Sequence, residues 1–189
     1  MNMKKSKNFI FSFLVTIFIS GLVSCSKDEP AVYEKGNLIG NYMGNCTVSL
    51  SSGSQTVSDF PAEFKQKNTQ DLYFNVGDAN SYKSIGISAT ITASGFKDYG
   101  SYAGFNLENM SDSFTTDLIP DFIKNNIKLD WDMKSVTLNL NVDPKNPPKY
   151  VIASKNLMFT YTGSVEITGP GSNDKYSSSI TYKFDLNKK

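Results

Sequence analysis

The sequence predicts an all-β domain of eight antiparallel strands, and three observations carry that expectation. From Leu38 to Leu186, apolar and polar residues alternate with period two in eight separate runs, the mark of strands with one buried face. Clusters of Gly, Asn, Asp, Ser and Pro separate those runs and supply the turns. One stretch alone switches to helical spacing.

In chain order, the first run (Leu38 to Leu50) puts Tyr42, Gly44, Cys46, Val48 and Leu50 on one face, opposite Asn41, Asn45, Thr47 and Ser49. The second sets Phe60, Ala62 and Phe64 against Glu63 and Lys65, with Pro61 marking an edge or bulge because it cannot donate to a ladder. Lys67-Asn68-Thr69-Gln70 turns into Leu72, Phe74 and Val76. Gly77-Asp78-Ala79-Asn80 forms the next loop, before Ile85, Ile87, Ala89, Ile91 and Ala93 face one way. Ala103, Phe105 and Leu107 make a fifth strand after an irregular stretch from Gly95 to Ser101.

The period then breaks. Leu118, Ile119, Phe122, Ile123 and Ile127 fall at helical spacing, which predicts a short helix over 118–127 within an insertion running to Asp132. Strand pattern resumes with Val136, Leu138, Leu140 and Val142. Asp143-Pro144-Lys145-Asn146-Pro147-Pro148 is a stiff polar loop. Leu157, Phe159, Tyr161, Gly163, Val165 and Ile167 form the seventh run. The turn Gly169 to Asp174 leads to Ile180, Tyr182, Phe184 and Leu186. An up-and-down barrel buries eight such faces and leaves no free edge; a two-sheet sandwich is the alternative.

Ahead of this domain, Lys4, Lys5 and Lys7 precede Phe9 to Val23, an uncharged run shorter than the roughly 20 residues a spanning helix needs. That combination reads as a cleaved signal peptide. The following Leu22-Val23-Ser24-Cys25 resembles the lipobox of bacterial lipoproteins. The resemblance implies cleavage before Cys25 and a diacylglycerol on its thiol. Two acyl chains anchor stably where one is marginal. Ser26-Lys27-Asp28-Glu29 resembles the surface-export tag of Bacteroidetes-type lipoproteins, and no Asp follows Cys25 directly, where an inner-membrane retention signal would stand. The expected organisation is a signal peptide at 1–24, a lipidated tether at 25–36 and a β-domain at 37–189. The expected address is the outer membrane, lipid-anchored and facing the cell surface.

Cleavage removes three lysines, so 16 basic residues face 18 acidic ones and the formal charge falls from +1 to −2. A slightly acidic chain has no electrostatic reason to bind nucleic acid. There is no His, and every basic residue is Lys. The usual neutral general base, the commonest metal ligand and the bidentate guanidinium are all missing. No enzyme activity, metal or cofactor is therefore expected. With Cys25 acylated, Cys46 has no disulfide partner, and its phase makes it a small core residue.

Asp130 and Asp132 flank Trp131, the single Trp, but in an extended segment both acids share a face opposite the ring, which fits a solvated loop with one buried anchor. Asp78, Asn80, Asn173 and Asp174 follow no calcium-loop spacing, and turn chemistry accounts for them.

Gly40-Asn41-Tyr42 resembles the Gly-x-Trp opening of lipocalins, with Tyr in place of Trp, and Leu38 to Leu50 is similar to the first strand of calycin-like domains in Bacteroidetes lipoproteins. The resemblance implies a barrel that holds a small hydrophobic or amphipathic ligand. Tyr42, Phe105, Phe159, Tyr161 and Tyr182 would line it, with Tyr hydroxyls as polar anchors. Phe114, Phe122 and Trp131 would belong to a lid over its mouth. By default the same aromatic face is a filled core. The alternative is thus a structural or protein-interaction module with an envelope protein as partner. A carbohydrate-binding module using Tyr73, Tyr99 or Trp131 is a third expectation.

Overall fold

Each alternating run contributes a strand, the fourth only from Ala89 onward, and the strands close on themselves. The computed structural model describes residues 35–189; the expected signal peptide, Cys25 and residues 25–34 of the expected tether lie outside them. A 3-10 turn at Lys35–Leu38 leads into β1 (Gly40–Leu50), β2 (Gly53–Gln66) and β3 (Leu72–Val76). Helix α1 (Ala79–Ile85) precedes β4 (Ala89–Asp98), β5 (Tyr102–Leu107) and β6 (Met110–Thr115). Helix α2 (Asp121–Asn126) is followed by β7 (Ser135–Val142), β8 (Lys149–Val151), β9 (Asn156–Thr168) and β10 (Lys175–Lys188).

All pairings are antiparallel and connect β1-β2-β3-β4-β5-β8-β9-β10, with β10 returning to β1 from Tyr42↔Lys188 to Ser49↔Thr181. The result is an eight-stranded up-and-down ring, not a sandwich. The ten strands count as eight because two are interrupted. β7 and β8 both pair with β9, but between Val142↔Tyr161 and Lys149↔Met158 the loop 143–148 bulges out opposite only Phe159 and Thr160. β5 and β6 pair with β8 and β7 in the same succession, so they form one bent strand. The ring is closed by its shortest member, since β8 offers three residues to each neighbour.

The predicted helix lies where its spacing put it, between the fifth and sixth wall strands, preceded by a 3-10 turn at Thr116–Leu118. A second helix was not expected. Ile85 and Ile87 read as strand, yet 79–85 is helical because Asp78 caps it: its carboxylate accepts from Ser81 N and Ser81 Oγ, both at 2.8 Å. Gly86, at φ 79°, ends it in the left-handed conformation that glycine adopts without strain. Phe114, assigned by pattern to the insertion, stands in β6. Asp112 occupies an inward phase of that strand and hides its alternation.

At one end of the ring, α1 and α2 fill the gap between β2 and β6. Gln55 donates to Ser84 Oγ at 3.0 Å, and the rings of Tyr82 and Phe114 meet at 5.1 Å. Ile85, Phe122 and Ile123 are buried there. In the interior, Phe64 stacks on Phe74 at 4.3 Å and Phe159 on Phe184 at 4.2 Å, with Tyr42, Phe60 and Phe105 set edge-on. Two of the small residues in the inward phase sit where neighbouring strands come close. A Cβ on Gly44 would strike the Asp185 carbonyl, and one on Gly163 the Asn139 carbonyl, so both glycines mark close strand approaches.

Candidate functional site: a lateral cleft in the wall

The interrupted strand leaves an opening. Loop 143–148 cannot rejoin the ladder because Pro144, Pro147 and Pro148 have no N–H. It is instead held as a unit by Asp143. The carboxylate accepts from Lys145 N at 2.9 Å and Asn146 Nδ2 at 2.7 Å, and Asp143 N donates to Thr160 O at 2.8 Å. The Asn146 hydrogen bond, helped by Lys145 N, keeps the Asp143 carboxyl below its ordinary range. Between this loop, the outer faces of β5, β9 and β10, and the β4–β5 turn lies an open cleft of about 790 Å³.

Its apolar lining is Met158 from the outer face of β9, with Phe105, Phe159 and Phe184. One wall is the β4–β5 turn. Gly100, at φ 81°, folds it back, and Tyr99 and Tyr102 stack there with centroids 4.9 Å apart. Gly104 makes the seat, since a Cβ there would come within 3.0 Å of the Tyr99 ring. Tyr99 stays 55 % exposed. The rim carries Lys97, Lys145, Lys149 and Lys183, with Asn106, Asn146 and Asp185. Asp185 is engaged, accepting from Asn156 Nδ2 at 2.6 Å.

Of the six candidate ligand residues, the five lining aromatics and Trp131, Phe105 and Phe159 border this cleft. The other four do not. The Tyr42 hydroxyl donates to Leu38 O at 2.7 Å, Tyr161 to Glu108 O at 2.6 Å and Tyr182 to Ile85 O at 2.7 Å. Each hydroxyl ties an irregular segment to the ring, so none serves as an anchor into an open cavity. Burial pushes the Tyr161 and Tyr182 phenols well above their ordinary value. Trp131 is half-buried beside Gly169, with Asp130 and Asp132 exposed on either side, as the alternation predicts. Searches of protein-family models, curated proteins and solved structures return no match for this chain.

No family is therefore shown. Cys46 is fully buried and unpaired, and burial raises its thiol far above the usual range, as its phase implied. Asp78 is spent on the α1 cap, and Asp174 accepts from Gly171 N at 2.7 Å within its own turn. Tyr99, Phe105 and Phe159 were named singly from the sequence, but their shared cleft was not, because its lining comes from four separate segments. Two signals stood in the chain: the Pro-rich loop 144–148 and the pair Tyr99 and Tyr102 around a glycine.

Proposed function

We propose that the protein is a non-enzymatic binding protein, anchored at the outer-membrane surface by lipid on Cys25, that takes a small amphipathic ligand in the lateral cleft. One contrast supports this reading. In the ring interior aromatic rings pack directly on one another, whereas the wall carries an open cavity of about 790 Å³, within the roughly 300–1,000 Å³ usual for small-molecule sites. An apolar floor under a polar rim suits a ligand with one greasy and one polar end. Relative to the lipocalin resemblance, the binding place moves from inside the barrel to its breached wall.

Native mass spectrometry of the mature chain carrying Cys25→Ser is expected to reveal a co-purifying small molecule. Met158→Trp, which sets a large ring on the outer cleft floor, should reduce its occupancy. A ligand retained undiminished by that variant would sink the cleft assignment. The aromatic packing of the interior supports a second reading, a protein-interaction module whose partner inserts a side chain into the cleft; a bound envelope protein in place of a small molecule would select it. For the anchor, radioactive palmitate should label the wild type and spare Cys25→Ser. Protease shaving of intact cells should remove the domain.

A further inference from the structure

Building on the cleft reading, we infer that the polar end of its ligand is a compact anion, held by Lys97, Lys145, Lys149 and Lys183. These lysines come from β4, the 143–148 loop, β8 and β10, yet all four border one cavity. Their convergence is topological and owes nothing to a local run of basic residues.

The charge around the cavity contrasts with the rest of the chain. Four ammonium groups and one carboxylate line it, while the mature sequence sums to −2. Among the described residues, none of the four has an ion-pair partner within 4.0 Å; the single pair found is Lys65 with Glu63. Asp185, the one acid at the rim, accepts a hydrogen bond from Asn156. Lys145 shares the field of Asp143 in its own loop, and the rest of the positive charge at this site faces no carboxylate within ion-pair distance among the described residues. The floor of Phe105, Met158, Phe159 and Phe184 asks for a hydrocarbon portion. Together they describe an alkyl or aryl chain ending in an anion.

The chemistry also sets the limits of selectivity. An ammonium is a rotatable point charge, whereas only a guanidinium fork reads carboxylate or phosphate geometry bidentately. With no Arg in the chain, discrimination should follow charge rather than shape, so a phosphate monoester should bind at least as tightly as a carboxylate. The same anion could arrive on a free amphiphile or as a lipid headgroup.

Calorimetric titration of the mature chain carrying Cys25→Ser, which keeps every described residue, tests this with decanoate, decyl phosphate, 1-decanol and decyltrimethylammonium. Both anions should bind about tenfold or more tighter than decanol, and the cation should bind weakest. Raising salt should erode the anion advantage. Replacing the four exposed lysines by Gln should abolish that advantage and leave decanol binding intact. Equal affinity for decanoate and decanol, with Met158→Trp weakening both, would overturn the anion assignment and keep the cleft. Binding of none of the four probes would overturn both. An anion advantage that survives the quadruple Gln variant would also overturn the assignment. Given anion binding, flotation with phosphatidylglycerol vesicles but not phosphatidylcholine vesicles identifies a headgroup; absence of flotation identifies a free amphiphile.

Discussion

Tyr182 donates its phenolic hydrogen to the carbonyl of Ile85, 2.7 Å away and 97 residues earlier in the chain. The bond joins the closing strand β10 to the last turn of α1, where helix carbonyls lack intrahelical partners. Tyr182→Phe leaves that buried oxygen unsatisfied and should cost about 1–3 kcal/mol, read from urea unfolding. Tyr42→Phe, which frees Leu38 O, should cost a similar amount.

Phe159 sits between the interior and the cleft, stacked on Phe184 at 4.2 Å and edge-on to Phe74 at 5.5 Å. Phe159→Ala should destabilise by about 3–5 kcal/mol, because the surrounding rings cannot collapse onto the void. It should also deepen the cleft, so the variant is expected to bind larger apolar probes than the wild type.

Cys46 offers a chemical readout of opening. Its thiol is buried and its ionisation suppressed, so Ellman's reagent should leave the native mature chain carrying Cys25→Ser unreacted. Labelling is expected only as fast as the ring opens, and it should accelerate in urea in step with unfolding. Rapid labelling in buffer would contradict the burial.

Asp78 makes stability depend on acid. Its carboxyl lies below the ordinary 3.8, chiefly through the hydrogen bond from Ser81 N and then that from Ser81 Oγ. A depressed folded pKa gives stability that is complete above the ordinary value and lost as pH falls through the lowered one. Asp78→Ala should cost about 1 kcal/mol at neutral pH, whereas Asp78→Asn, which keeps an acceptor, should cost less and flatten the acid dependence.

Gly163 faces the backbone of Asn139 and Leu140 with no space for a methyl group. Gly163→Ala should force β7 away from β9 at a cost of about 1–3 kcal/mol. Thermal unfolding would show it as a lowered midpoint.

Strand faces were legible because period two reports burial directly: Tyr42, Cys46 and Val48 are buried as their phase implied. Ile85 and Ile87 misled because a short helix followed by a turn can mimic alternation, although Asp78 and Gly86 marked both of its ends. β6 was hidden by one inward Asp. The hydrogen-bond partners of the tyrosines could not be read at all, since their acceptors are backbone carbonyls brought close by topology. The cleft was invisible for the same reason. It arises where a Pro-rich loop interrupts one wall strand, and no residue within that loop announces that Phe159 lies opposite.

The pairing of β1 with β10 carries a consequence for how the chain is made. Tyr42 meets Lys188 and Ser49 meets Thr181, so the first strand to be synthesised finds one of its two neighbours only in the last. Ring closure is dominated by distant contacts, which slow folding. A polypeptide threaded N-terminus first through an export channel, as proposed for this one, would keep β1 half-paired until β10 emerged. Whatever the route, the ring cannot close before β10 is available to β1.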